Sequence, residues 1–193
     1  MMKSIQNSDM KKVFLFLAEG FEETEAVASI DVLRRGGLSV TTVSISSNLT
    51  VTGSHGISVT ADALFEKANI DEGDMLILPG GQPGASNLNA HKGLIAQLTK
   101  YAAEGKKIAA ICAAPLVLGG LDLLQGKKAT VYPGYESTLK GAEYVKTPVV
   151  TDGNIITGRG PGWVFEFALS IVEELQGKAK ADEVATGLLI VNG

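Results

Sequence analysis

The sequence predicts an α/β protein with a mostly parallel sheet that helices cover on both faces. Two short, continuously apolar runs, Val13–Ala18 and Met75–Leu78, are typical of strands buried on both sides. Such runs alternate along the chain with segments whose apolar residues recur at helical spacing. The 193 residues suit one domain or two at most, and we predict a single domain over residues 12–193 behind a polar extension, residues 1–11.

The first third of the chain predicts a strand, a helix, a second strand and a hairpin. After the Val13–Ala18 strand, apolar residues recur at helical spacing over residues 22–35, and the paired glycines that follow end this helix. Residues 39–46 are rich in β-branched side chains and predict a second strand. Residues 51–60 predict a hairpin, because glycines mark a turn at their centre.

The middle of the chain predicts two more buried strands, each followed by a helix. The Met75–Leu78 strand ends abruptly at a Pro-Gly-Gly sequence, and one helix is expected from about residue 87 to 104. Residues 107–112 predict the next strand, which runs directly into an apolar helix with Pro115 in its first turn. Residues 129–132 are a weaker candidate for a further strand.

The last third predicts two strands and two helices. Residues 149–157 indicate two strands that turn at an Asp-Gly pair. Residues 162–175 form a strongly periodic helix, which we expect Trp163 and Phe165 to pack into the core. Residues 181–190 predict a final helix.

The carboxyl edge of the predicted sheet is the expected location of a functional site. Sheets of this kind bind ligands beyond the carboxyl ends of their strands. Three loops follow predicted strands at that edge: Glu19–Glu25, Gly80–Gly84 and Cys112–Pro115. We expect the functional residues there.

Composition argues against several classes of partner and cofactor. A net charge of −4 without any Lys- or Arg-rich run predicts no nucleic-acid partner. No apolar run is long enough for a signal peptide or a spanning helix, and a single cysteine precludes an internal disulfide, so we expect a cytoplasmic protein with no membrane partner. We also expect no metal and no cofactor, because the glycine-rich residues 80–84 lack the ending of a phosphate-binding loop.

Cys112 is predicted to lie where a buried strand ends and a helix begins. A side chain at such a turn projects from the sheet edge, as the nucleophile of hydrolases does. The N–H groups and dipole of the helix start favour a thiolate, so we expect a lowered pKa. The alternative is a buried cysteine that acts as a small hydrophobe. Four neighbouring alanines favour a pocket, because they leave room for a substrate: Ala109, Ala110, Ala113 and Ala114.

Four glutamates crowd the turn after the first strand: Glu19, Glu22, Glu23 and Glu25. Acidic residues suit the first turn of a helix, and this is the interpretation for three of them. Glu25 differs because it lies near the boundary of the buried face. A carboxyl group beside a thiolate in a dry pocket has a raised pKa and becomes a neutral donor. From the residues alone, both interpretations of Glu25 stay open.

Four motifs together resemble the ThiJ/PfpI superfamily, and most of all its protein-deglycase and glyoxalase III-like branch: GFEETEA at residues 20–26, LPGG at 78–81, AAICAAP at 109–115 and GRGPG at 158–162. Their order and spacing match over nearly the whole chain. The resemblance implies a flavodoxin-like sandwich, a homodimer and activity on reactive dicarbonyls or on their adducts with amines and thiols.

The resemblance also implies a site. Cys112 matches the reactive cysteine, and Glu25 matches the glutamate whose protonated carboxyl group hydrogen-bonds that sulfur. The remaining matches supply backbone donors and a loop that closes the far side of the pocket: Gly80, Gly81, Ala113, Arg159, Gly160 and Pro161.

The histidines disfavour some relatives. His55 lies in the predicted hairpin, at a position that the family uses near its dimer interface, and is a candidate for touching the partner's pocket. His91 is expected on a solvated helix start. Ala113 stands where the peptidase-like branch has a histidine, and no histidine follows residue 91, so a cysteine amidase or peptidase is less favoured. Tyr132 replaces a histidine that some relatives carry.

We therefore expect a cysteine enzyme that converts methylglyoxal to lactate or acts on glycated adducts. The Cys112 thiolate would attack the aldehyde carbon, N–H groups of Gly81 and Ala113 would stabilise the oxyanion, and Glu25 would shuttle the proton between carbons. One alternative is a redox-sensing stress or chaperone-like protein whose Cys112 is oxidised to the sulfinic acid. Another is a non-catalytic α/β domain.

Overall fold

A seven-stranded sheet forms the centre of the protein in a computed structural model, which describes residues 10–190. Within these residues the strands are β1 (Lys12–Leu17), β2 (Ser39–Ser44), β3 (Thr50–Thr52), β4 (Ser58–Thr60), β5 (Ala63–Leu64), β6 (Met75–Leu78), β7 (Lys107–Ile111), β8 (Lys128–Ala129), β9 (Glu143–Tyr144), β10 (Val149–Asp152) and β11 (Ile155–Gly158). The α-helices are α1 (Glu23–Arg35), α2 (Gly84–Ala90), α3 (Lys92–Ala103), α4 (Pro115–Gly120), α5 (Val164–Gln176) and α6 (Lys178–Gly187). Short 3₁₀ helices span Phe65–Lys67, Ile70–Glu72, Glu136–Thr138 and Pro161–Trp163.

The strand order of the main sheet is β10-β11-β7-β6-β1-β2-β5, and only β10 runs antiparallel to its neighbour. Alternate side chains of β1 enter two separate cores. Val13 and Leu15 pack with residues of α1, α5 and α6 on one face, and Phe14 and Phe16 pack with residues of α2, α3 and α4 on the other. Each such buried side chain contributes about 1.5–3 kcal/mol. The predicted parallel sheet with helices on both faces is confirmed.

The helix expected over residues 87–104 is two helices that meet at His91. The backbone of His91 is extended, with φ −82° and ψ 101°, and its Nδ1 accepts a hydrogen bond from the Leu94 N–H at 3.0 Å. The half-buried ring also packs edge-on against Phe65, with 4.5 Å between the centroids. The predicted solvated position of His91 is therefore wrong, because the imidazole caps α3.

The expected packing of Trp163 and Phe165 into the core is also wrong. Both side chains are 41% exposed. Helix α5 begins at Val164, and its buried side chains are Val164, Phe167, Ala168, Ile171 and Val172. These residues recur at helical spacing on one face, which turns Phe165 toward solvent and leaves Trp163 in the preceding 3₁₀ turn.

Three further predictions concern a short strand, the N-terminal extension and membrane-spanning helices. The candidate strand at residues 129–132 is limited to β8, which pairs with β9 in a small separate sheet. The polar extension, residues 1–11, falls mostly outside the described residues, so its separation from the domain stays a prediction. No helix in the described part of the chain combines the length and apolarity needed to cross a bilayer.

Backbone hydrogen bonds tie the loops at the carboxyl edge of the sheet to one another. The Glu22 N–H donates to the Gly80 carbonyl at 2.9 Å, and the Gly84 N–H donates to the Gly20 carbonyl at 3.1 Å. These bonds join the loop after β1 to the loop after β6. The edge is thus a connected surface on which side chains from distant parts of the sequence hold fixed positions.

Candidate functional site

Cys112 follows β7 directly and adopts a left-handed backbone conformation, with φ 65°. This conformation costs a non-glycine residue about 1–3 kcal/mol and is found where the surroundings hold it in place. Here the Cys112 N–H donates to the Gly158 carbonyl, and its carbonyl accepts from the Tyr132 N–H, both at 2.9 Å. The turn lies just before Pro115, the first residue of α4, as the sequence predicts. The side chain is 7% exposed.

Gly80 brings Cys112 and Glu25 together. A Cβ atom on Gly80 would lie 2.6 Å from the Cys112 Cβ and 2.7 Å from the Glu25 Oε2. Only glycine therefore fits between β6 and this pair. The Gly80 N–H donates to the Glu25 Oε2 at 2.8 Å and fixes the carboxyl group. The next residue, Gly81, has φ 88°, and its N–H and that of Ala113 interact with the Cys112 thiol.

Glu25 is fully buried in the first turn of α1. Its N–H donates to the Oε2 of Glu22, the N-cap residue, at 2.7 Å, which fixes the start of the helix. Its Oε1 is buried and forms no hydrogen bond with any described residue. Burial raises the pKa of Glu25 to about 7, against the opposing effect of hydrogen bonds with Cys112 and Gly80. The sequence-based expectation of a raised pKa is confirmed.

The expected lowering of the Cys112 pKa is wrong in direction. Burial raises the pKa of the thiol, and so do the negative charge of an ionised Glu25 and the hydrogen bond with it. The N–H groups of Gly81 and Ala113 act the other way but do not outweigh burial. Helix α4 has only six residues, so its dipole is weak. Because the two groups interact, they titrate as a pair. Above about pH 7 the pair holds a single proton, which lies either on the thiol or on the carboxyl group.

Glu23 has a role that the sequence did not reveal. It is buried, and its two carboxylate oxygens hold the hairpin between β3 and β4: Oε1 accepts from the His55 N–H at 2.6 Å, and Oε2 contacts the His55 Nδ1 at 2.9 Å. Burial alone would raise the pKa of Glu23, but the hydrogen bonds from His55 and the Ile57 N–H lower it to about 2. The His55 ring is exposed and its pKa is raised by Glu23. Contact of His55 with a partner's pocket stays a prediction.

One group among the described residues has the composition of a metal site. Glu22, Glu23 and His55 place ligand atoms within 4.8 Å of one another. Both oxygens of Glu23 and the Nδ1 of His55 already take part in the hydrogen bonds that hold the β3–β4 hairpin. We therefore assign Glu23 and His55 a structural role in holding this hairpin.

The predicted Arg159, Gly160 and Pro161 loop follows Gly158, whose carbonyl accepts from the Cys112 N–H, and it lines a cavity of about 260 Å³. Tyr132 and Trp163 complete the cavity wall, and neither was predicted as a site residue. A signal for Trp163 was present, because it directly follows the GRGPG motif. The structure thus forms two adjoining groups: Cys112 with Glu25, Gly80, Gly81 and Ala113, and the Arg159 cavity.

Comparisons with known proteins find similarity over most of the chain. A model of the DJ-1/PfpI family matches residues 11–174, a segment that contains every residue of both groups. DJ-1 homolog A of Arabidopsis thaliana is 44% identical over 183 residues, which are 93% of this chain. The chain spans about half the length of the plant relatives it matches, 47% of homolog A and 42% of homolog B.

Two other similarities cover nearly the whole of the matched protein. A deglycase of Pyrococcus horikoshii is 38% identical over 163 residues, covering 81% of this chain and 96% of that protein. A structure of oxidised DJ-1 from Toxoplasma gondii has a TM-score of 0.89 at 38% identity, covering 93% of this chain and 98% of the other.

Proposed function

Because the chain belongs to the DJ-1/PfpI family, we propose that it is a cysteine enzyme that acts on reactive dicarbonyls or on their adducts with amines and thiols. The observation that supports this most directly is the buried Cys112–Glu25 pair. A thiol and a carboxyl group with a pKa of about 7 share one protonation equilibrium beside fixed backbone donors. A general acid–base is most effective when its pKa lies near the working pH.

The reactive form of the pair carries its single proton on Glu25 and the charge on Cys112. The thiolate attacks the aldehyde carbon of methylglyoxal and forms a C–S bond, while the carbonyl electron pair moves to the oxygen. The N–H groups of Gly81 and Ala113 stabilise the oxyanion, because they already point at the sulfur. Glu25 donates its proton to this oxygen, and the product is a hemithioacetal.

Glu25, now a carboxylate, then removes the proton from the former aldehyde carbon and returns it to the neighbouring carbon. The hydroxyl proton of the first carbon passes at the same time to the ketone oxygen of its neighbour. The first carbon is thereby oxidised to a thioester while the ketone is reduced to an alcohol, so no external oxidant or reductant is consumed. Water attacks the lactoyl thioester, the C–S bond breaks, and lactate and the Cys112 thiolate are released. The net reaction is methylglyoxal plus water giving lactate and a proton.

An adduct reaches the same hemithioacetal by a different first step. In a carbinol formed from methylglyoxal and an amine or thiol, Cys112 displaces the nitrogen or sulfur from the carbinol carbon. Glu25 gives its proton to the departing group. The resulting hemithioacetal is identical to the one formed from the free aldehyde, so one site serves both substrates.

Carbon-13-labelled methylglyoxal tests this proposal. The purified, reduced protein is expected to convert it to labelled lactate, observed by NMR, at a rate well above that of the protein after alkylation of its single cysteine. Lactate formation that alkylation leaves unchanged would refute the mechanism.

A redox-sensing role is the second candidate. It is supported by the free Cys112 beside the buried Glu25 Oε1, which as a neutral acid has a proton to donate to an oxidised sulfur. The structure of oxidised Toxoplasma gondii DJ-1 adds to this support. Intact mass after treatment with two equivalents of hydrogen peroxide tests the role, because each equivalent delivers one oxygen. Addition of two oxygens, blocked in Glu25→Ala, is expected if the pair stabilises a sulfinic acid.

A further inference from the structure

The cavity beside Cys112 has a composition unlike the rest of the site. Its wall combines two aromatic side chains, Tyr132 and Trp163, with the guanidinium of Arg159 and a run of glycines and prolines. The aromatic side chains are 45% and 41% exposed, so their faces are available to a ligand. A volume of about 260 Å³ suits a group of a few heavy atoms.

The position of the cavity is fixed relative to the nucleophile. The Cys112 N–H bonds the carbonyl of Gly158, and Arg159 is the next residue along the chain. On the other side, the Cys112 carbonyl accepts from the Tyr132 N–H. The cavity wall therefore begins at the two segments that hold the Cys112 backbone. Cys112 itself does not line the cavity, so a substrate bonded to the sulfur would reach the cavity through its leaving group.

Arg159 carries the cavity's one formal charge among its lining residues. Its Nε is buried and has no hydrogen-bond partner in the described part of the chain, and no carboxylate described there forms an ion pair with it. Buried donors are normally satisfied, so the Nε of this guanidinium lacks the acceptor that a buried N–H usually has. Carboxylates are its best match, because they accept two parallel N–H bonds from the planar fork.

We propose that this cavity binds the leaving group of an adduct and selects leaving groups that carry a carboxylate. The preferred substrates are then adducts of α-oxoaldehydes with small amino acids or thiol acids. The carboxylate pairs with Arg159, while the carbon skeleton lies against Tyr132 and Trp163. This inference rests on the proposed function for its substrate class, but the binding of the carboxylate does not depend on turnover.

Paired substrates test the selectivity. Methylglyoxal adducts of N-acetyl-L-cysteine and of N-acetyl-L-cysteine amide differ only in the carboxylate. Wild-type kcat/KM is expected to favour the acid about 10- to 100-fold, the range for hydrogen bonds to charged groups. In Arg159→Gln the ratio should fall toward one. In Lys178→Gln, which removes the same charge from an exposed position on α6, the ratio should stay at the wild-type value.

A binding measurement makes the subsite testable without turnover. Trp163 is the one tryptophan in the sequence, so its fluorescence reports on the cavity. In Cys112→Ser, N-acetyl-L-serine should give a saturable change that N-acetyl-L-serinamide does not, and Arg159→Gln in that background should abolish it. Equal responses to acid and amide, or none to either, would overturn the subsite.

The two proposals fail in different ways. Turnover of free methylglyoxal without any preference between the paired adducts, and without selective binding of the acid, leaves the proposed function standing and removes the subsite. Absence of all turnover with selective binding of the acid removes the proposed function and leaves a carboxylate-binding site.

Discussion

The carboxyl group of Glu25 and the Cβ of Cys112 lie on the same side of Gly80, where a Cβ on that glycine would be 2.7 Å from the Glu25 Oε2 and 2.6 Å from the Cys112 Cβ. The Gly80 N–H holds one oxygen of the carboxyl group, and the carboxyl group and the thiol affect each other's pKa. This contact couples the protonation of a residue in the first turn of α1 to that of a residue after β7.

Replacing the nucleophile is expected to abolish turnover and spare the fold. In Cys112→Ser the side chain is nearly isosteric, and the hydrogen bonds that hold the turn come from the backbone. Lactate formation from methylglyoxal should disappear, while the circular dichroism spectrum and the melting temperature stay close to wild type. A variant that kept a sizeable share of wild-type turnover would exclude Cys112 as the nucleophile.

A single methyl group on Gly80 is expected to damage both stability and activity. Gly80→Ala places a carbon against Cys112 and Glu25, and overpacking of this kind costs about 1–3 kcal/mol. Urea unfolding measures the loss, and lactate formation should fall in parallel. Gly187→Ala at the end of α6 is the control, because a Cβ there meets nothing within 4 Å. Equal stability of both variants would show that the pair has room to separate.

The rate is expected to rise with pH through about 7. Burial keeps Glu25 protonated up to a pKa of about 7, and below it the pair holds two protons and offers no thiolate. As the pH rises through this value, one proton leaves and the reactive form appears. A plot of kcat/KM against pH should show this acidic limb. A profile that is flat from pH 6 to 8 would contradict the coupling.

Ultraviolet titration of the thiolate separates the two ways in which the pair can hold its proton. If a neutral Glu25 donates to the sulfur, Glu25→Ala should raise the Cys112 pKa by roughly 1–2 units, because a hydrogen bond to a charged group is worth about 1.5–3 kcal/mol. An ionised Glu25, whose charge raises the Cys112 pKa, predicts a fall on Glu25→Ala instead. Glu25→Gln keeps a donor, so the thiolate should persist while turnover is lost. A fall in the Cys112 pKa on Glu25→Ala would identify Glu25 as the ionised partner, and the proposed donor role would be abandoned.

A homodimer is proposed from the family and is expected to involve α1 and the β3–β4 hairpin. Helix α1 exposes Val27, and the hairpin exposes Ile57. Residues of α1 and of β4 also line a groove of about 470 Å³. A closed two-fold dimer is the commonest oligomer. Light scattering should return twice the chain mass at micromolar concentration, and Val27→Glu should return the monomer. A monomeric wild type would contradict the interface and the role offered to His55.

Local patterns in the sequence were enough to predict the sheet and the position of Cys112. The apolar runs of β1, β6 and β7 and the helical spacing of α1 and α5 indicate their own burial, and Pro115 after a buried strand indicates the turn. The break at His91 was missed because the capping bond comes from a side chain whose ring is held by Phe65. Trp163 was misplaced because α5 begins only at Val164, and Phe165 was misplaced because it lies off the buried face of that helix.

The chemistry of the site depends on contacts that no local pattern contains. Cys112 and Glu25 were recognised from motifs, but the sequence pointed to a lowered thiol pKa. The structure raises it, because the thiol is buried and because the fold brings Glu25, in α1, beside the sulfur. Burial and neighbouring charge set a pKa, and both are properties of the packed molecule. The sequence determined which residues stand at the edge of the sheet, and tertiary packing determined how their protons and charges are shared.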